Sequence, residues 1–223
     1  MSTLIDYTSL TLCCDRPFAD HEAAQLRGFF GQRYGNRPEF HHHGHQGLIY
    51  RHPLIQYKVI GGVGRLLGIG AGSFLLQAVA IPKQIMLNGE ALEVIDSHRT
   101  TDRITFGPTS QLVDYRFLTP WLALNEENYV VFKHSDDAAR RIELLNRILI
   151  GNILSLCKAT EFEVEERLHA IVRMERTQEV VIKQEIGLVG IVGAFSVNFL
   201  LPPLWGIGKQ SARGFGVTHH IGA

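Results

Sequence analysis

An excess of positive charge is the first thing this chain lacks. Its 223 residues carry 22 lysines and arginines against 22 aspartates and glutamates, a formal net charge of zero with histidine neutral. That balance rules out the overall electrostatic grip that a strongly basic domain exerts on nucleic acid, and leaves such work to local patches. Cysteine is scarce as well. Cys13, Cys14 and Cys157 cannot all pair, and two of them are neighbours in a strand-like run. A disulfide framework is thereby excluded, and the usage fits a reducing, cytoplasmic setting. The N-terminal stretch MSTLIDYTSL has no basic leader followed by an apolar block, so no signal peptide is expected.

Charge is missing altogether from Ile186 to Gly208, a run long enough to pass a crude membrane window. Its glycines, Asn198 and Pro202-Pro203 would break a spanning helix, whereas its valines and isoleucines suit a strand buried on both faces. No membrane partner is expected.

What is present is an ordinary globular composition, 45% hydrophobic and 20% charged, in a chain long enough for one large domain or two small ones. Leu4–Leu12 reads as a strand, and Asp15 with Pro17 opens a helix whose apolar face takes Phe18, Leu26, Phe29 and Phe30 and which ends at Gly31 or Gly35. LIQYKVI and GRLLGI read as strands joined at Gly61-Gly62, followed by a short helix over Ser73–Ala80 and strand with a turn over Leu92–Phe106. Beyond a boundary near Gly107-Pro108, YRFLTP and YVVFK read as strands. Ser135, Asp136 and Asp137 open a helix striped by Ile142, Leu145, Leu149, Ile153 and Leu156. EFEVEERLHAIV, EVVIK and LVGIVGAFSV read as further strands. Each half repeats strand, helix, strands. The expected fold is α+β, two tandem ferredoxin-like (RRM-like) units, residues 1–110 and 111–223.

Charge is unevenly spread within that frame. From Arg16 to Arg65 there are seven cations (Arg16, Arg27, Arg33, Arg37, Arg51, Lys58, Arg65) against Asp20, Glu22 and Glu39, and from Ile186 onward Lys209 and Arg213 stand without an acid. Solvated surface explains such zones as readily as a binding face does. Between the first helix and LIQYKVI lies FHHHGHQG, which puts four of eleven histidines at His41, His42, His43 and His45. Imidazole serves metal binding, acid–base catalysis or a merely polar loop. Zinc sites usually draw on separated ligand pairs, and this run has no thiolate or carboxylate at the customary spacing, so no metal or other cofactor is expected.

The stretch Gly206-Ile207-Gly208-Lys209-Gln210-Ser211-Ala212-Arg213-Gly214-Phe215-Gly216 lacks the strand-to-helix context of a dinucleotide or Walker-type phosphate loop. It remains a loop of small residues whose amides and two cations could lie against phosphates, or a glycine-rich turn without function. Phe215 reads as the apolar anchor that pins it.

Gly-Ile-Gly-Lys-x4-Gly-Phe-Gly late in a tandem α+β chain resembles the C-terminal glycine-rich loop of the CRISPR-associated RNA-processing endoribonucleases of the Cas6 family. LRGFFG at Leu26–Gly31, the histidine cluster, and YRHPLIQYKVI at Tyr50–Ile60 look like the branch of that family with a histidine pair in this loop. The resemblance implies a metal-independent endoribonuclease that cuts CRISPR repeat RNA to release guide RNAs. The neighbouring 2′-hydroxyl attacks the scissile phosphate, leaving a 2′,3′-cyclic phosphate and a 5′-hydroxyl.

Such chemistry needs a base, an acid and cations for the phosphate. The family's pair, spaced by one residue, maps onto His41 and His43. In an extended segment residues two apart point the same way, while three consecutive histidines leave His42 or His45 as replacements. Tyr34 and Lys58 are further candidates to orient groups or stabilise charge, with a structural role open to both. His52 lies in a stretch read as strand and is set aside. Lys209, Arg213, Gly206, Gly208, Gly214 and Gly216, with Arg27, Arg33 and Arg37, are the expected RNA contacts. Arg33 and Arg37 could instead pair with Glu39. The partner is precursor guide RNA, and other Cas effector subunits or a second copy of the chain are left open. Two rival readings are a noncatalytic RNA-binding subunit of a CRISPR effector complex and a metal-dependent nuclease.

Overall fold

The computed structural model describes residues 1–35, the backbone of 43–44 and 47–48, and residues 52–182 and 186–222. The chain divides into an N-terminal unit, Leu4–Thr105 with Ala212–Gly214, and a C-terminal unit, Met1–Thr3, Phe106–Ser211 and Phe215–Ala223.

In the N-terminal unit β1 (Thr3–Cys14) runs antiparallel to β5 (Val63–Ile69), which pairs with β4 (Ile55–Ile60). β1 lies between β5 and β7 (Glu90–Phe117). A two-residue pair, β2 (His43–Gly44) with β3 (Gly47–Leu48), stands apart from that sheet. Alternation sets the core: Leu10, Leu12, Tyr57 and Leu66 point to one face and are fully buried there, with Leu26 and Phe30 of helix α1 (Ala23–Arg33). The predicted helix does form, and it passes Gly31 and stops at Tyr34. Phe18 is buried, but it precedes a 3-10 turn at Asp20–Glu22 and is not on the helix.

Other expectations for this half shift. The short helix α2 covers Ala71–Gln77, starting and ending before the predicted span. No turn interrupts β7 over Leu92–Phe106. The turn lies earlier, at Asn88-Gly89 with φ of 50° and 87°, and joins β6 (Gln84–Leu87) to β7. An Asn-Gly pair with both φ positive matches the right-handed twist of the flanking strands.

In the C-terminal unit the end of β7 pairs with β9 (Ile186–Leu200), β9 with β8 (Ala170–Ile182), and β10 (Thr218–His220) with β7. β9 is thus a central strand. On one face Ile191, Phe195, Val197 and Phe199 are fully buried and on the other Ala194 and Ser196 are nearly so, which is why the stretch tolerates no charge. No helix among the described residues is long and apolar enough to cross a membrane.

Helix α4 (Ala138–Ala159) is capped by Asp137, whose carboxylate accepts from Ala139 N at 2.8 Å. Leu145, Leu149, Ile153 and Leu156 of its apolar stripe are fully buried, and Ile142 partly so. Each full burial stabilises by about 1.5–3 kcal/mol before entropy is counted.

Three readings fail here. YVVFK is helical, within α3 (Glu126–His134), because Asn125 accepts from Asn128 N at 2.7 Å, Glu126 and Glu127 occupy the first turn, and Lys133 and His134 the last. Cap and dipole together outweigh the β-propensity of two valines and a tyrosine. The YRF of YRFLTP ends β7 and does not begin a new strand. EFEVEERLH is not strand: Glu161 at φ 56° closes α4, and β8 begins only at Ala170.

Arg16 ties the first turn of the α1 region to the start of β7. Its guanidinium donates to Glu22 at 2.8 and 2.9 Å and to Glu90 at 2.7 and 3.0 Å, while Glu22 also accepts from Ala19 N at 2.7 Å. These bonds hold the nearly buried Glu22 carboxyl below the usual carboxylate range. A lowered value in the fold means the stabilisation is complete above the unfolded pKa, near ~4.3, and is lost as pH falls through the folded one. Glu22→Gln should cost about 2 kcal/mol at pH ~7, less than a fully buried pair because Arg16 is partly exposed. Denaturant unfolding should show that difference shrinking as pH falls below about 4.

Candidate functional site

The glycine-rich stretch is clamped along its length. Ile207 N donates to Gly216 O at 3.0 Å, Gly216 N to Pro120 O at 3.0 Å, and Lys209 N to Leu122 O at 3.0 Å. Gly208, at φ 84°, packs against the Trp121 ring, where a Cβ would stand 2.6 Å from Nε1. Gly216, at φ 61°, leaves a Cβ only 2.1 Å from the Ile207 carbonyl oxygen. Both positions need glycine for conformation and for space. The apolar anchors are Ile207 and Val217, which are fully buried. Phe215, expected in that role, is only half-buried, because the neighbours at 207 and 217 already fill the core.

The tip of the stretch belongs to the N-terminal unit. Tyr57 N donates to Ala212 O at 3.3 Å, and Arg213 bridges to Tyr57 in parallel register, so the tip lies along the outer side of β4. Arg213 thereby comes close to Arg27 of α1. Burial, then the Arg213 charge, pull the Arg27 guanidinium below its ordinary value, and burial pushes the Tyr57 phenol up. Two cations within electrostatic reach, both half-buried, form a site that favours an anion.

Arg33 is exposed in the last turn of α1, and Lys209 is exposed. Arg37, His41, His42 and His45 lie outside the described residues. His43 pairs in backbone register with Leu48.

The secondary candidates have structural positions. The Tyr34 hydroxyl accepts from Ala80 N at 3.0 Å and its ring stacks on Phe30. Lys58 is fully buried in β4, where burial holds its ammonium well below the ordinary lysine value. His52 precedes β4 and is not within it. It is buried, with its Nε2 3.2 Å from Gln56 Nε2. Arg16, counted in the basic zone, is neutralised by Glu22 and Glu90. Sequence reasoning missed Tyr57 and Ala212 as partners, since nothing local in LIQYKVI signals a strand edge that a distant segment will cover. Among the described residues no group of three or more His, Cys, Asp or Glu gathers as metal ligands would.

Two family models cover nearly the whole chain, the Cas6b N-terminal domain over residues 3–105 and the Cas6b C-terminal domain over residues 107–221. The chain belongs to the Cas6b family. A crystal structure of Cas6b is 30% identical, covers 99% of this chain and 100% of its own, and superposes with a TM-score of 0.89. A crystal structure of the CRISPR RNA processing endoribonuclease Cas6b is also 30% identical with the same coverage and a TM-score of 0.77. An uncharacterized protein of Methanocaldococcus jannaschii is 37% identical over 134 residues, 60% of this chain and 90% of its own length. The α+β architecture with its antiparallel sheet is accordingly the tandem ferredoxin-like fold of Cas6 proteins.

The clamp can be tested directly. Gly216→Ala combines a positive φ with a clash against backbone and should lower the thermal midpoint by several degrees, about 2–3 kcal/mol. Gly28→Ala, mid-helix with open space at its Cβ, should leave the midpoint unchanged or raise it slightly.

Proposed function

We propose that this protein cuts CRISPR repeat RNA into guide RNAs without a metal ion, by attack of the 2′-hydroxyl on the adjacent phosphate. The observation that supports this most is the pair of Cas6b family models spanning residues 3–105 and 107–221, joined to 30% identity with a CRISPR RNA processing endoribonuclease. The assigned roles divide between the halves 1–110 and 111–223. His41 and His43 act as base and acid, one taking the 2′-hydroxyl proton and the other protonating the leaving 5′-oxygen. His42 or His45 stands in if the register differs. Two imidazoles titrating near pH ~6.5 can hold opposite protonation states at neutral pH, so the rate should peak near pH ~6–7 and fall on both sides.

Lys209 and Arg213, with Arg27, Arg33 and Arg37, carry the backbone phosphates. Gly206, Gly208, Gly214 and Gly216 shape the backbone that presents its amides to them, Gly208 and Gly216 by packing where no Cβ fits. Tyr34 and Lys58 are the reserve candidates to orient groups or stabilise charge, Lys58 buried in β4 and the Tyr34 hydroxyl bonded to Ala80 N. A reaction without metal places the whole charge stabilisation on these cations and on protonated imidazole.

Incubating the protein with a repeat RNA from its own locus in EDTA, beside the same RNA with a 2′-deoxy substitution at the cut, tests the chemistry. Cleavage of the first and none of the second is expected, with a 2′,3′-cyclic phosphate on the 5′ product. Loss of cleavage in EDTA would overturn the metal-free reading. His41→Ala and His43→Ala should each slow single-turnover cleavage by about 10²–10⁴-fold with little change in RNA affinity. Cleavage retained in the double variant would overturn the site assignment.

A further inference from the structure

A cleft of about 640 Å³ opens wholly within the C-terminal unit, between the start of α3 and the paired strands β8 and β9, in the range of small-ligand pockets. Glu126 and Tyr129 line it from α3, Gln178 and Glu179 from β8, and Lys209 from the glycine-rich stretch. Leu124, buried, lies among the lining residues. The Lys209 backbone is fixed there by its bond to Leu122 O at 3.0 Å. The Tyr129 ring is steadied by Lys133, whose Nζ stands 5.7 Å from its centroid.

With Glu126 and Glu179 against Lys209, the lining carries a net negative charge that disfavours a phosphate as the main occupant and favours a neutral group rich in N–H donors. A flat platform at Tyr129 and an apolar wall suit an aromatic heterocycle. Glu179 is placed for this. Its Oε1 lies against Gly187 on the facing strand, 2.8 Å from where a Cβ would be, so the missing side chain leaves room for the carboxylate over β9. A carboxylate offers two parallel acceptors. Among the RNA bases only guanine presents two adjacent donors, N1–H and the N2 amino group, on its Watson–Crick edge.

Resting on the reading that the ligand is RNA, we propose that this cleft captures one unpaired guanine. The base stacks on Tyr129, its N1–H and N2–H are held by Glu179, and its phosphate lies toward Lys209. The cleft is a specificity-determining site. It fixes which nucleotide of the RNA can reach the glycine-rich stretch.

The test uses the full chain and fluorescein-labelled ten-nucleotide RNAs followed by anisotropy: oligouridine, and the same strand with a single central guanosine, inosine, adenosine or cytidine. The wild type should bind the guanosine strand about tenfold more tightly than oligouridine. Inosine, which keeps N1–H but lacks the amino group, should fall between them. Glu179→Gln, Tyr129→Ala and Gly187→Ala, the last by pushing the carboxylate aside, should each bring the guanosine-to-uridine ratio close to one. That ratio does not depend on the fraction of protein folded. Equal binding of all strands by the wild type, no binding of any, or a ratio unchanged in Glu179→Gln would overturn the proposal. Cleavage of repeat RNA by the wild type, measured beside it, reports on the proposed activity by itself: guanine selectivity without cleavage would sink the activity and leave the cleft standing.

Discussion

β4 is the outermost strand of the N-terminal sheet, and what happens along its outer side governs much else. An unpaired strand edge is a row of unsatisfied amides and carbonyls that invites wrong partners. Here Ala212 and Arg213 occupy that edge, with Tyr57 N donating to Ala212 O. The tip of the glycine-rich stretch is therefore a structural member of the unit that β4 belongs to as well as a candidate ligand surface. That tip cannot be moved without opening the edge of β4. The two ends of the stretch cannot relax either, because Gly208 and Gly216 sit where a Cβ would strike Trp121 and Ile207. A segment whose composition suggests a flexible loop is fixed by backbone hydrogen bonds at Ile207, Lys209, Ala212 and Gly216.

The neutral composition takes on meaning from the same geometry. Several of the arginines are committed to internal partners. Arg16 is held by Glu22 and Glu90, Arg99 donates to the carbonyls of Gln77 and Val79, Arg116 pairs with Glu175, and Arg173 with Asp114. In the C-terminal sheet the Arg116–Glu175 and Arg173–Asp114 pairs cancel one another. Arg27 and Arg213 instead stand within reach of each other's charge. Net charge says little when its members are sorted in this way.

Much of the architecture could be read from periodicity alone. The α4 stripe, the alternation in β1 and the double-glycine turn between β4 and β5 each follow from local chemistry, and so does the uncharged run that becomes β9. The failures came where two local signals competed. In YVVFK, β-branched residues pointed to strand while Asn125, Glu126 and Glu127 upstream and Lys133 and His134 downstream marked helix ends, and the ends prevailed. EFEVEERLH alternates as a strand does, but α4 had to be closed first and Glu161 turns the chain at positive φ. For the site, the glycines and two cations of the C-terminal stretch were visible as a motif. Their attachment to Tyr57 was not, since strand-edge pairing across more than 150 residues leaves no mark in either sequence. The cleft at Tyr129 and Glu179 was hidden for a related reason: it depends on YVVFK being helical.

Placing Arg27 beside Arg213 has an energetic consequence. Burial and like charge both act against the Arg27 guanidinium. On the proposed function an RNA phosphate would reverse both effects, supplying the opposite charge and replacing lost hydration with charge-assisted hydrogen bonds. Binding energy gained this way is specific to an anion lying along β4. It does not come from the long-range attraction that an overall basic protein would exert on any polyanion. A chain of zero net charge can then select where along an RNA it sits, because little of its affinity is available to the phosphates elsewhere. In such a design recognition must come from fixed, local pairs, and the rigidity of the glycine-rich stretch is what makes them fixed.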